Sequence, residues 1–422
     1  MLKTPIARGV ALATLGATLA IPTMAQAAFV EDTKAGLELR NFYYNADNRT
    51  NVSTLANPAQ SKQDEWAQGF ILRVESGFTE GTVGFGVDAL GLLGVKLDSS
   101  ADRAGSGILP GGFGDAAPDE YSSLHATAKM KISKTILKVG AIEPKNMAVA
   151  RSDSRLLPQT FKGGQLVSNE IDGLTLDLGY LTERNDRNSS NYEDMTFGGK
   201  GGVAKTDIAD DFIFAGATYS LSKNLKGAYY YSNLEEIYKQ HSFNLIHVLP
   251  LGDNQSLKTD LRYARSTDDG SSKVDNKALG AMVTYSISGH SFGLGYQKMS
   301  GDTGFAYVGS GTDPYLVNYV MIGADFANPD EKSWQARYDY NFAAMGLPGL
   351  TFMTRYVSGD DFGAGGNSKE WERDTDIGYV FQEGTLKNLG VKWRNGTYRS
   401  SNNSNRDIDQ NRLIVSYTIP LM

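Results

Sequence analysis

Short segments of strict alternation fill most of the chain. Leu37, Leu39 and Asn41 alternate with Glu38, Arg40 and Phe42. Val83, Phe85, Val87 and Ala89 alternate with Gly84, Gly86 and Asp88. Leu124, Ala126, Ala128, Met130 and Ile132 oppose His125, Thr127, Lys129 and Lys131, and Leu174, Leu176, Leu178 and Tyr180 oppose Thr175, Asp177 and Gly179. Trp334 to Phe342, Leu350 to Tyr356, Leu389 to Arg394 and Arg412 to Ile419 follow the same rule. Period two predicts strands with one apolar and one polar face. The stretches between them are polar, rich in Gly, Asp and Asn, and read as turns and loops.

Two architectures share this pattern. A soluble sandwich packs its apolar faces together, and a membrane barrel turns them to lipid. Three features favour the barrel. The segments run about ten residues, the length at which a tilted strand crosses a bilayer. Connections alternate in length: Ser133-Lys134 and Ser222-Lys223-Asn224 are tight, whereas 98–120 and 182–211 are long. Tyr180, Tyr219, Tyr263, Tyr338, Tyr356 and Tyr417 sit on the apolar phase near segment ends, as interfacial girdles do. The fold expected is all-β, a transmembrane antiparallel barrel of about 18 strands. Residues 28–422 form one domain, since each strand needs both neighbours.

Composition agrees. Gly accounts for 47 of 422 residues and Tyr outnumbers Phe, 22 to 18. Both favour strands and turns. No cysteine is present, which excludes disulfides, Cys-based zinc sites and Cys nucleophiles. Residues 1–27 read as a secretory signal: Lys3 and Arg8, an apolar stretch from Val10 to Ile21, then Ala25-Gln26-Ala27. Its removal takes the net charge from −7 to about −9. An acidic chain does not point to nucleic acid.

Charge becomes informative once it is sorted by phase. Arg40, Arg73, Lys129, Lys131, Lys138, Arg262, Arg337, Arg355, Lys392, Arg394 and Arg412 all fall on the polar phase, which a barrel turns to its lumen. Acids gather in the connections, among them Asp98, Asp119, Asp186, Asp268 and Asp360. A pore lined with one sign of charge favours the opposite ion, and arginine can fork a carboxylate. The segment Met147–Phe161 breaks the alternation and carries Arg151, Asp153, Arg155 and Pro158. It is expected to fold inward as a constriction, with Asp153 orienting Arg151 and Arg155 to grip a carboxylate. The bland alternative is an exposed loop, or one tethered through Arg155 to Asp177.

Enzyme signatures are faint. His125, His241, His247 and His290 lack metal-ligand spacing, and neither G-x-S-x-G nor a P-loop occurs. His125 beside Ser122 and Ser123 is the nearest approach to a catalytic group. Asp374-Thr375-Asp376 is an acidic pair suited to a cation or to a solvated rim. The expectation is a channel with no catalysis, cofactor or metal.

Four stretches resemble one family: WAQGFILRVESGFTEGTVGFGVDALGLLGVKLDS from Trp66, YSSLHATAKMKISKTILKVG from Tyr121, SDSRLLPQTFKGGQLVSNEIDGLTLDLGYL from Ser152, and EKSWQARYDYNFAAMGLPGLTFMTRYVSGD from Glu331. They are similar to the OprD outer-membrane porins of pseudomonads, and the resemblance runs from Phe29 to the C-terminus. It implies an 18-stranded barrel, an inward third loop, a lumenal ladder of basic residues and uptake of small carboxylate-bearing nutrients. DPYLVNY (from Asp313), EWERDTDIGYV (from Glu370) and LIVSYTIPL (from Leu413) look more like the OccK branch, which favours cyclic or aromatic carboxylates, than the OccD branch, which prefers basic amino acids. The implied surroundings are outer-membrane lipid and lipopolysaccharide, the barrel-assembly machinery, and a monomer or labile homotrimer. The rival of another class is a barrel adhesin or lipid-modifying enzyme.

Overall fold

The computed structural model describes residues 29–49, 60–200, 207–270, 272–309, 311–322, 325–401 and 407–422. The expected signal segment lies outside them. Seven strands come first: β1 (Lys34–Asn48), β2 (Lys62–Glu75), β3 (Val83–Asp98), β4 (Glu120–Ile132), β5 (Thr135–Ile142), β6 (Thr160–Ser168) and β7 (Leu174–Asn185). Two short segments follow, β8 (Tyr192–Thr196) and β9 (Ile208–Ala209). The remaining strands are β10 (Phe212–Ser220), β11 (Leu225–Leu234), β12 (Tyr238–Gly252), β13 (Gln255–Asp268), β14 (Asp275–Ile287), β15 (His290–Ser300), β16 (Lys332–Asn341), β17 (Leu350–Phe362), β18 (Ser368–Val380), β19 (Gly390–Ser400) and β20 (Ile408–Pro420).

Each wall strand pairs antiparallel with the next wall strand, β7 with β10, which leaves β8 and β9 outside the wall. The last strand returns to the first, from Gly36↔Pro420 to Asn48↔Ile408. Among the described residues, eighteen strands therefore form a closed antiparallel barrel. Closure matters because lipid offers no partner to an open edge.

The turn-bearing end carries Ser133-Lys134, 221–224, Asp253-Asn254 and Ser288-Gly289, together with both ends of the barrel wall. Ser133, Asn254 and Ser288 take positive φ, as tight hairpins demand. Long connections occupy the other end, the outer side of the membrane in barrels of this kind. Three of them matter below: L3 (143–159), L4 (186–211) and L7 (301–331).

Alternation sorts side chains as the sequence predicts. Leu294, Phe85, Leu124 and Trp334 are exposed on the outside, Leu294 to 70%. Their strand neighbours Gly295, Gly86, His125 and Gln335 are buried inside. The lumen is not polar throughout. L3 packs Leu156 and Leu157 against inward-facing Phe42, Tyr44, Ile71, Leu90 and Leu92. Its other limb packs Met147, Ala148 and Val149 near Phe161, Phe212, Phe214 and Tyr230. L3 is thus held inside the barrel by two apolar contacts on separate stretches of wall.

The register makes a direct prediction. Leu294→Arg places a charge in the middle of the lipid face, at a cost of roughly 2–4 kcal/mol, and should sharply lower folding yield into vesicles. Thr351→Arg points the same charge into the inner lumen, among Gly378, Lys392 and Arg394, and should fold nearly as wild type. Equal yields would place the register one residue out.

Candidate functional site

L3 is shaped by its own polar groups before it meets the wall. The Asn146 side chain accepts from the Ala148 and Val149 amides at 3.0 and 2.9 Å, and donates to Asp177 at 2.8 Å. The Gln159 amide donates to the Ser152 carbonyl at 2.9 Å, closing a narrow loop around Ser152–Pro158. Asp177 also accepts from Gln165 and Tyr230, at 2.8 and 3.3 Å. It anchors L3 through Asn146, and Arg155 takes no part in that anchor.

An unbroken run of alternating charges stakes the loop to β1 and β2. Arg73 reaches Glu143 at 3.0 Å, and Glu143 accepts from Arg151 at 2.9 Å. Arg151 meets Asp153 at 3.3 Å, Asp153 meets Arg40 at 2.7 Å, and Arg40 meets Glu38 at 2.8 Å. Burial opposes ionisation of Asp153, yet Arg40 and Arg151 hold its carboxyl below the usual range. Arg151 and Arg155 do not converge around Asp153: Arg151 belongs to this chain of ion pairs, and Arg155 turns the other way.

Arg155 donates to the Ser106 carbonyl at 3.0 Å and to the Ser154 carbonyl at 3.1 Å, with the Tyr44 ring 5.6 Å away. Arg412, 1% exposed, lies 5.8 Å from the same ring and donates to Met321 O at 2.7 Å and Ser154 O at 3.4 Å. Arg187, from L4, donates to the Ser154 and Ser152 hydroxyls at 2.9 and 3.0 Å. Among the described residues, no carboxylate stands within ion-pair distance of these three guanidiniums. Burial, then the charges of Arg412 and Arg187, press the proton affinity of Arg155 well down.

L7 completes the ring. The Asp313 amide donates to the Ala150 carbonyl at 3.0 Å, joining L7 to L3, and the Tyr319 hydroxyl donates to the Asp313 side chain at 2.8 Å. Wall arginines hold its backbone: Arg262 donates to Leu316 O at 2.8 Å and Arg355 to Tyr319 O at 3.1 Å. The Met321 and Ile322 amides donate to Asp374 and Glu372 at 3.3 and 2.8 Å.

Two cavities meet at this ring. The outer one, about 420 Å³, is lined by Arg187, Tyr307, Asp313, Tyr319, Met321, Asp325 and Arg355. The inner one, about 460 Å³, is lined by Glu38, Arg40, Asp153, Thr351, Lys392 and Ile414. Ser154, Arg155 and Arg394 belong to both and mark the narrow point between them. In the outer cavity, burial pushes Asp325 up to about 6, with the Tyr307 hydroxyl on its carboxylate at 3.1 Å.

The charged residues picked out from sequence thus divide. Arg155, Arg394, Arg412 and Arg355 gather at the ring, and Arg40, Asp153 and Lys392 just inside it. Several carry a carboxylate of their own: Arg355 pairs with Asp374 and Arg337 with Asp339 at 2.7 Å, Arg262 with Asp260 at 2.8 Å, and Arg394 with Asp376 at 3.0 Å. Asp374 and Asp376 are therefore lumenal partners of arginines, at neither a rim nor a cation site. Arg73 and Arg151 brace L3. Lys129 binds Asp88 and the Ser76 carbonyl at 2.6 Å, and Lys131 lies over Phe78, both beside the turn at 76–82. Arg187 and L7 were not among the candidates; neither sits on an alternating strand, so phase could not find them. His125 bonds Ser123 and Tyr192, both at 2.8 Å, and a phenol stands where a hydrolase needs an acid.

A closed barrel with long outer loops, folded inward to leave a charged aperture between two cavities, defines a diffusion channel of the outer-membrane porin class. Residues 27–421 match the family described as outer membrane porin, OprD family, and the chain belongs to it. It is 38% identical to Porin D of Pseudomonas aeruginosa, over 93% of this chain and 92% of that protein. The crystal structure of Pseudomonas aeruginosa OpdQ is 57% identical, with a TM-score of 0.85, and covers 94% of this chain and 100% of its own. That of Pseudomonas aeruginosa OccK9 (OpdG) is 43% identical, with a TM-score of 0.88 over 93% and 100%. These relatives are channels rather than enzymes, and they place the chain as an integral protein of the outer membrane.

The ion-pair chain predicts how L3 responds to losing its central acid. Asp153→Asn leaves Arg40 and Arg151 short of a shared counter-charge, at a cost on the order of 1–2 kcal/mol, between the exposed and buried cases. Single-channel recordings should show a higher, noisier open level while the barrel keeps its wild-type heat resistance. An unchanged open level would mean that the apolar contacts alone fix L3.

Proposed function

We propose that this porin admits small carboxylate-bearing solutes, cyclic and aromatic carboxylates in particular, along a path of basic side chains. The observation that carries this reading is the trio Arg155, Arg187 and Arg412, charged and converging on Ser154 without carboxylate partners among the described residues. An arginine keeps its proton in such a setting, so the aperture holds positive charge that a passing anion can neutralise. Arg187 receives the solute in the outer cavity, Arg155, Arg394 and Arg412 take it through the ring, and Arg40 and Lys392 receive it within. Tyr307, Tyr319, Val320 and Met321 give the outer cavity an apolar side for a ring to lie against. Each hand-over must stay weak enough for release. OccK names among the structural neighbours support the same branch. The other expected surroundings, an assembly machinery and a monomer or labile homotrimer, belong to this proposal as well.

Arg155→Ala tests it. A charge-assisted bidentate contact is worth about 1.5–3 kcal/mol when partly desolvated, and less in a wet pore. Benzoate uptake into proteoliposomes should fall several-fold, while small-ion conductance rises because the aperture widens. Arg155→Lys should restore part of the uptake, since charge returns without the fork. If benzoate flux rises along with conductance, Arg155 is only an obstruction. Preferential uptake of arginine over benzoate by the wild type would overturn the substrate class and leave the porin intact.

A further inference from the structure

The basic residues on the outside of the barrel follow a rule of their own. On the turn-bearing side the strand lysines Lys131, Lys258 and Lys392 fall on the inward phase. At the loop-bearing end Lys239 and Lys369 fall on the outward phase, and on four neighbouring strands outward bases stand side by side. Arg265 of β13 is directly opposite Lys277 of β14. Lys298 of β15 is directly opposite Lys332 of β16, and sits one diagonal step from Lys277, which pairs with Ser300. Like charges opposed across adjacent strands repel, with side chains only about 5 Å apart at their bases.

The two flanking bases carry their own acids, Arg265 with Asp275 and Lys332 with Asp361. The two in the middle do not. Lys277 and Lys298 are exposed, and among the described residues no hydrogen-bond or ion-pair partner reaches either. One step down the same face, about 7 Å toward the membrane centre, runs a row of exposed apolar groups. It comprises Tyr263, Leu279, Tyr296 and Trp334, each between 39% and 52% exposed. Uncompensated ammonium groups directly above an aromatic belt, on the lipid side of the wall, match an amphiphile with an anionic head and acyl tails.

We propose that Lys277 and Lys298, over Tyr296 and Trp334, form a binding site for the phosphate of a lipid A headgroup in the outer leaflet. The end of the barrel selects this lipid. Only the outer leaflet meets the loop-bearing rim, and its glycolipid carries phosphates at the depth where these lysines stand, just above the belt. The site is separate from the pore, because both lysines point away from the lumen, and it does not depend on which solute passes.

The test uses the full-length mature barrel in nanodiscs, titrated with bis-phosphorylated lipid A, with dephosphorylated lipid A and with phosphatidylglycerol. Bound lipid is counted by native mass spectrometry. Two lysines near a membrane surface contribute enough for Lys277→Glu combined with Lys298→Glu to weaken bis-phosphorylated lipid A by about tenfold or more. Wild type should hold the dephosphorylated form as weakly as that variant holds the phosphorylated one. Unchanged single-channel conductance of the double variant certifies that it is folded. Lys369→Glu, on β18 beyond the cluster, serves as the rim control and should bind as wild type. Equal binding of phosphorylated and dephosphorylated lipid A would overturn the proposal, as would an equal loss in Lys369→Glu. So would phosphatidylglycerol binding as tightly as lipid A.

Discussion

Backbone hydrogen bonding in lipid is the constraint from which the rest of this molecule follows. A strand crossing hydrocarbon has nothing to bond except another strand, so the eighteen strands must close on themselves, and β20 returns to β1 over thirteen register pairs. Closure fixes which residues face inward, because a pleated strand allows only two phases. Every wall residue discussed above, from Arg40 on β1 to Arg412 on β20, owes its direction to that choice. The interior of so wide a barrel would be a water-filled bore. L3 and L7 make it selective by filling it.

Filling the bore required a local exception to the polar-inside rule. Phe42, Ile71, Leu90, Leu92 and Phe214 are apolar on the inward phase because they receive Leu156, Leu157 and the Met147–Val149 limb of L3. Charge then sets what those contacts leave open. Most lumenal arginines have a carboxylate close at hand, which fixes their direction and cancels their field: Arg337 with Asp339, Arg394 with Asp376, Arg355 with Asp374. At the aperture the pattern changes, and carbonyls and hydroxyls replace carboxylates around Arg155, Arg187 and Arg412. Neutral partners orient a guanidinium without spending its charge. A net-acidic chain therefore carries an electropositive narrow point.

Much of this was legible in the sequence, and the reason is periodicity. Barrel, strand register, inward phase and the departure at Met147–Phe161 all follow from the two-residue rhythm and where it stops. The run Leu90-Gly91-Leu92-Leu93, apolar on both phases, was a readable sign that something packs against the wall from within. Three things were not legible. The partners of Asp153 lie more than a hundred residues away on β1 as well as beside it in L3, so spacing alone suggested a grip by Arg151 and Arg155 that the fold does not make. Arg187 sits in an irregular loop, where phase carries no information. L7 enters the lumen through backbone carbonyls held by Arg262 and Arg355, and any sequence offers a carbonyl. The lipid-facing lysines were visible as residues, but their adjacency depends on the register of four strands.

On the function we propose, charge at the aperture, rather than aperture size, selects the solute. Benzoate and benzamide share a shape and differ in the carboxylate. Single-channel current through the wild-type porin, recorded with either solute on the outer side, separates the two explanations most directly. Benzoate should produce transient blockades whose frequency rises with its concentration and falls with added salt, as solutes pause at Arg155 and Arg412. Benzamide should pass without resolved blockades. Blockades of equal frequency and duration for both solutes would show that the narrow point sorts by size and that its arginines do not select.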